Sequence, residues 1–157
     1  NLVRVDPDGS VHVAAREIWC PNGLAITADG KTLVAAESAA GRLAAFDVAA
    51  DGSLSRQRVF ATLPQGAAPD GICVDAEDAV WVASPTTREF LRVRAGGEVA
   101  ERIPTGERIA IACALGGPGR RTLFLVTSQT MSSAEAVRSR GGRIEACEVA
   151  VPGAGWP

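Results

Sequence analysis

Asn22 and Asp70 are the side chains of this 157-residue sequence best placed, by type and spacing, to do chemistry. Each opens a copy of one phrase. Asn22-Gly23-Leu24-Ala25-Ile26 runs through Ala28-Asp29-Gly30-Lys31 to Thr32-Leu33-Val34-Ala35-Ala36. Asp70-Gly71-Ile72-Cys73-Val74-Asp75 runs through Ala76-Glu77-Asp78 to Ala79-Val80-Trp81-Val82-Ala83. Each copy reads as a strand, an acidic turn and a second strand. An internal repeat puts its opening residues at equivalent points of equivalent units. An amide carbonyl and a carboxylate held in that way are hard oxygen donors, suited to Ca²⁺, Mg²⁺ or Mn²⁺. The plainer alternative is that Asn-Gly and Asp-Gly are only turn dipeptides. A third copy, Ala112-Cys113-Ala114-Leu115, carries alanine at the opening position, so the repeat itself demands no polar residue there.

The elements that must position these side chains are strands. Short apolar or alternating runs, cut by Gly, Asp and Pro turns every ~8–12 residues, predict an all-β sandwich, barrel or propeller. Strands are expected at 2–5, 11–14, 24–27, 32–36, 43–48 and 58–62, then at 72–75, 80–83, 90–93 and 99–103, and finally at 111–115, 123–127 and 143–149. A helix is expected only within 132–140. Asp70 follows Asn22 by 48 residues, and Ala112 follows Asp70 by 42. Four strands in about 40–50 residues is the period of a propeller blade. The sequence accordingly divides into a partial blade at 1–20, a blade at 21–68, a blade at 69–110 and an incomplete last blade at 111–157. A propeller closes with ~4–8 blades. The chain is therefore expected to be the C-terminal half of a larger β-propeller. The missing N-terminal half would supply the fourth strand of the last blade. Alone, the fragment would carry unpaired strand edges, which favour self-association.

Composition excludes several partners. Hydrophobic content of 46% with 22% charge fits a globular chain rather than a disordered one. A formal net charge of −2 offers nothing to nucleic acid or an anionic membrane. No apolar run approaches the ~20 residues of a membrane span. Cys20, Cys73, Cys113 and Cys147 form no CxxC pair, which argues against a zinc site or a disulfide scaffold. They are expected to be small apolar core thiols, which favours a reducing, cytoplasmic setting.

Three phrases in order carry a family resemblance: Pro21-Asn22-Gly23-Leu24, Pro69-Asp70-Gly71-Ile72-Cys73-Val74-Asp75 and Cys113-Ala114-Leu115-Gly116-Gly117. They resemble the SMP-30/gluconolactonase/LRE, or regucalcin-like, family. Residues 33–36, 80–83 and 122–127 match its second-strand phrases. Gly141-Gly142-Arg143-Ile144-Glu145 and Val151-Pro152-Gly153-Ala154-Gly155 resemble the tail of its bacterial members. The resemblance covers nearly all of this chain but only the C-terminal half of the family. It implies a six-bladed propeller with one divalent metal ion (Ca, Zn, Mn or Mg) in the central channel. It also implies that Asn22 and Asp70 are metal ligands and that Asp70 is the general base. The family's further ligand Glu and an Arg/Asn pair lie upstream and have no counterpart here.

The implied reaction is hydrolysis of a sugar lactone. The cation would polarise the lactone carbonyl as a Lewis acid, and Asp70 would take a proton from the attacking water. A carboxylate beside a cation is a weak base, so the metal must also acidify that water. The fragment alone is expected to be inactive, since two donors rarely hold a hard cation against water. One alternative is a non-catalytic propeller that binds a cation or another protein, because the fold alone does not choose. Another is a related hydrolase acting on a different ester or lactone.

The remaining candidates read as structural. His12, the sole histidine, is expected at the surface or in packing. No serine occupies a G-x-S-x-G elbow. Trp81 is expected in the core, while Trp19, close before Asn22, is a weaker candidate for lining the channel mouth. Gly116-Gly117-Pro118-Gly119 is expected to be a hairpin turn rather than a phosphate cradle. Glu37 and Ser38 are expected to be solvated edge residues, and 129–140 a loop over one face.

Overall fold

Successive side chains of a strand point to opposite faces of its sheet, so a strand that is apolar throughout needs a neighbour on both sides. Among the described residues, thirteen strands in four antiparallel sheets meet this need. The structure is a computed structural model and describes residues 1–155. Positions 156 and 157, the end of the expected last blade, lie outside the described residues.

The first sheet pairs β1 (Leu2–Val5) with β2 (Val11–Ala15). The second runs β3 (Pro21–Ile26), β4 (Thr32–Glu37), β5 (Arg42–Val48) and β6 (Leu54–Thr62). The third runs β7 (Ile72–Val74), β8 (Val80–Ser84), β9 (Glu89–Val93) and β10 (Val99–Pro104). The fourth runs β11 (Ile109–Gly116), β12 (Thr122–Ser128) and β13 (Arg143–Glu148). Within each sheet the spatial order follows the chain, as in successive blades of a propeller. Every expected strand is present. The one α-helix of the described residues, α1 (Ser133–Ser139), falls inside the expected stretch, with Ser132 as its N-cap. The glycine-rich segment after β11 is a hairpin connection built on a short 3-10 turn, Pro118–Arg120.

The core lies between the sheets, and single strands divide their side chains between two of its parts. Val80 and Val82 of β8 face one cluster, with Val34, Leu43 and Leu91, while Trp81 and Ala83 face the next, with Phe90, Leu123 and Leu125. In β4 and β5, Ala35, Ala44 and Phe46 turn instead toward the β1–β2 hairpin and its Leu2. Trp81 is fully buried, as expected. The far face of the hairpin carries two exposed cross-strand pairs, Val3 with Val13 and Val5 with Val11.

The sheets meet along their first strands. β3 packs beside β7, and β7 beside β11. The Gly23 N–H donates to the Asp70 carbonyl at 3.1 Å, and the Gly71 N–H to the Ile111 carbonyl at 2.9 Å. Glycine is required at both positions for space. A Cβ on Gly23 would sit 2.6 Å from both the Asp70 carbonyl oxygen and the Ile72 nitrogen. A Cβ on Gly71 would sit 2.6 Å from the Ala112 Cβ. At the opposite end of these strands the chain returns to close them. The Ala76 N–H donates to the Pro152 carbonyl at 2.8 Å and the Ala154 N–H to the Val74 carbonyl at 3.1 Å, flanking a bridge between Asp75 and Gly153.

Three cysteines sit in or against the core: Cys113 is buried, and Cys73 and Cys147 are half-buried. Cys20 departs from the expectation and is exposed. It lies outside any strand, at φ 55°, in the connection to β3, so no sheet face covers it.

Overpacking of this kind costs about 1–3 kcal/mol, and more where backbone must move. Gly23→Ala is therefore expected to lower the urea midpoint severely. Gly9→Ala, at a turn with φ +85° and nothing within 4 Å, is expected to cost only about 1 kcal/mol. Equal losses in the two variants would show that the strand approach is not what glycine serves.

Candidate metal centre at the channel mouth

Asn22 and Gly23 belong to β3 and are not a turn. The Asp70-Gly71 segment likewise continues β7 toward the mouth of the channel. The Asp70 N–H donates to the Ala83 carbonyl at 2.9 Å, and the Ala83 N–H donates back to the Gly71 carbonyl at 3.0 Å. The Ser38 hydroxyl, from the 3-10 turn Ser38–Ala40, donates to the Pro69 carbonyl at 2.5 Å. Backbone and side-chain bonds from two sheets thus hold the residue pair Pro69-Asp70.

The structure brings the two expected donors together. The Asn22 side chain lies against the Asp70 carboxyl and favours its charged form. Burial is the stronger influence and holds the Asp70 carboxyl above its ordinary value. No cationic side chain offsets it. Below the mouth, a cavity of about 100 Å³ separates the three inner strands, lined by Leu24, Ile26, Ile72, Cys73, Cys113 and Leu115. Ala112, the third opening residue, packs against Gly71 and contributes no polar atom. Among the described residues no group of three or more His, Cys, Asp and Glu side chains gathers. An amide oxygen beside an unpaired, half-buried carboxylate fits a hard divalent cation in kind. In number it supplies two of the six to eight oxygens that such an ion as Ca²⁺ takes.

Other candidates lie elsewhere. His12 is exposed, with Nε2 3.2 Å from both the Asp6 carboxylate and the Ser10 hydroxyl. Trp19 is exposed over the outer strands β5 and β6, in a cleft lined by Glu37, Arg42, Gln57 and Arg58, away from the inner strands.

Glu37 corrects the expectation of a solvated edge. It is fully buried, and Ser38 is half-buried. The Arg42 Nε donates to one Glu37 oxygen at 2.5 Å, and the Trp19 N–H donates to the other at 3.0 Å. Glu37 and Arg42 face each other in the β4–β5 register. That cross-strand pairing of opposite charges, five residues apart across a short turn, is the signal that sequence reading could have used. A second missed residue is Asp75. It is fully buried, accepts from the Arg92 Nε at 2.6 Å and from the backbone of Glu77 and Ala79, and anchors the far end of β7.

The chain has recognisable relatives. A family model described as SMP-30/Gluconolactonase/LRE-like region matches residues 1–129. A 6-deoxy-6-sulfogluconolactonase of Pseudomonas putida is 28% identical, over 100% of this chain and 55% of the relative. A gluconolactonase structure from Xanthomonas campestris is 31% identical with a TM-score of 0.67, over 80% of this chain and 40% of that one. A regucalcin structure from Agrobacterium tumefaciens, described as a calcium-binding protein, shares the fold at 20% identity and a TM-score of 0.74, over 92% of this chain and 51% of that one. The chain spans about half the length of the relatives it matches.

The Glu37 pair carries a prediction. Burial raises the Glu37 carboxyl, but the hydrogen bond from Arg42, the Trp19 N–H and the Arg42 charge together prevail, and the net shift is downward from 4.5. A lowered folded value means that the unfolded chain binds the proton more readily. The stability contributed is present above 4.5 and is lost as pH falls through the folded value. Between about pH 6 and pH 3 the urea midpoint of Glu37→Gln should fall less steeply than that of the parent chain. Glu37→Ala at neutral pH should cost about 3 kcal/mol, the lower end for a broken buried pair, because Arg42 is partly exposed. An unchanged pH slope in Glu37→Gln would show that the pair contributes nothing.

Proposed function

Because the chain belongs to the SMP-30/gluconolactonase/LRE-like family, we propose that it is part of a β-propeller that hydrolyses sugar lactones, with Asn22 and Asp70 as metal ligands. The observation that carries this reading is the meeting of Asn22 and Asp70 across two inner strands whose spacing the Gly23–Asp70 bond sets. Support also comes from relatives named as lactonases and from a relative described as calcium-binding.

When bound, a divalent cation (Ca, Zn, Mn or Mg) would polarise the lactone carbonyl as a Lewis acid. Asn22 offers its amide oxygen and Asp70 a carboxylate oxygen to that ion. Asp70 is also the general base. Its carboxylate takes a proton from the water whose hydroxyl adds to the lactone carbonyl. Asp70 then returns the proton to the ring oxygen as the ring C–O bond breaks, which releases the hydroxy acid. Burial, which raises the Asp70 carboxyl, would partly offset the lowering that a bound cation imposes on it. Asn22 orients that carboxylate through its contact with it.

The rest of the ligand sphere and the substrate pocket come, in this proposal, from further blades of the same propeller. The two-stranded β1–β2 sheet, its exposed valine face and the three-stranded β11–β13 sheet support that reading.

Two outcomes test it. In the protein that carries all blades, Asp70→Ala should lower kcat/KM on gluconolactone by at least ~10²-fold, the lower end of general-base effects. Retention of activity within about threefold would sink the assignment. Independently of turnover, added Ca²⁺, Mn²⁺ or Zn²⁺ should raise the melting temperature of the parent protein and leave Asp70→Asn unmoved. In chelator, Asp70→Asn should be at least as stable as the parent, since a half-buried charge is gone.

A further inference from the structure

Cys73 and Cys113 lie on neighbouring inner strands with their sulfurs 3.7 Å apart, and neither takes part in the proposed chemistry. They come from different blades, 40 residues apart in sequence. We propose that this pair is an oxidisable dithiol in which a peroxide forms a disulfide that ties β7 to β11.

The backbone geometry favours the bond. Two residues before the pair, the Gly71 N–H reaches the Ile111 carbonyl at 2.9 Å, so the strands are already at hydrogen-bonding distance. Close to the pair, a Cβ on Gly71 would be 2.6 Å from the Ala112 Cβ, so the two backbones all but touch there. The strands are already close beside the pair, and the bond requires the two sulfurs to close from 3.7 Å to the ~2.05 Å of a disulfide. Both thiols are free and line the cavity of about 100 Å³ between the inner strands. A molecule near the ~30 Å³ of water fits there, whereas a tripeptide disulfide such as oxidised glutathione does not.

The two sulfurs have different surroundings. Cys113 is buried and donates to the Trp81 carbonyl at 3.5 Å. The facing Cys73 sulfur and then burial push its thiol up, so it waits as a thiol. Cys73 is half-buried and reacts first. As the Cys73 sulfur attacks one peroxide oxygen, the S–H proton is given up and the O–O bond breaks. The departing hydroxide takes that proton and leaves as water, and Cys73 is left as a sulfenic acid. The Cys113 sulfur then attacks the Cys73 sulfur, the S–O bond breaks, and the hydroxyl leaves as water with the Cys113 proton. In sum, two thiols and one hydrogen peroxide give one disulfide and two waters, with two electrons passing from sulfur to oxygen.

The test uses hydrogen peroxide on the folded chain and on the same chain in urea, followed by thiol alkylation, non-reducing digestion and mass spectrometry. In the folded chain the peptide joining Cys73 to Cys113 should exceed each of the other pairings by at least about tenfold, and this preference should vanish in urea. Cys73→Ser and Cys113→Ser should each abolish the link, while Cys20→Ser and Cys147→Ser should leave it. The proposal is overturned if the folded chain gives the pairing distribution of the unfolded one. It is equally overturned if all four thiols remain open to alkylation or if Cys73 proceeds to sulfinic acid without cross-linking.

Discussion

The backbones of neighbouring inner strands touch at Gly23 and Gly71, and the rest of the structure is arranged around that touch. A single N–H to carbonyl bond contributes only about 1 kcal/mol net. Its importance is geometric. With no Cβ in the way, the Gly23 N–H reaches the Asp70 carbonyl, and the side chain of residue 22 lies beside that of residue 70. The same approach narrows the space between the inner strands and brings the sulfurs of Cys73 and Cys113 into contact. Neighbouring sheets are held at the distance at which Val34 and Leu43 of one meet Val80 and Leu91 of the next. Loss of the close approach would therefore disturb the site and the core together.

The strands were legible because burial on both faces leaves a strong mark. Val80 to Ala83 is buried at every position, since alternate residues serve two different interfaces, and it stands in the sequence as an uninterrupted apolar run. The strand limits were less legible where the ladders are irregular. β3 begins at Pro21 rather than at 24, beyond a shift in register between Pro21 and Leu24. β6 begins at Leu54 rather than at 58, across shifts in its pairing with β5. Asn-Gly and Asp-Gly favour turns in isolation. Here neither glycine has a positive φ, so the dipeptides are extended chain and the glycines serve close packing.

The donor pair was legible for a related reason: a repeat makes equivalent residues neighbours around an axis. The charged residues that brace the surrounding frame were not. Whether Glu37 meets water or protein depends on Arg42 across the hairpin and on the backbone of Trp19, which arrives from a different connection. Asp75 is likewise settled by Arg92, seventeen residues on. A carboxylate without such partners would be driven to the surface by the cost of losing its hydration. Local residue type therefore predicts exposure, and only strand register reveals the exception. Cys20 is the converse. A small apolar thiol would suit the core, but its place in a connecting loop puts it outside.

The bridge between Asp75 and Gly153 bears on the order of assembly during synthesis. Its two residues are 78 positions apart, and the bonds that flank it join Val74 and Ala76 to Ala154 and Pro152. The four-stranded sheet β7–β10 can form its own ladder as soon as residue 104 has left the ribosome. The far end of its first strand must then wait for some fifty more residues before its last backbone partners exist. Contacts of such long sequence separation form late and slow a chain's folding. A nascent chain halted before residue 152 would thus carry a nearly finished sheet with one open end, a state that quality-control proteases and chaperones are equipped to recognise.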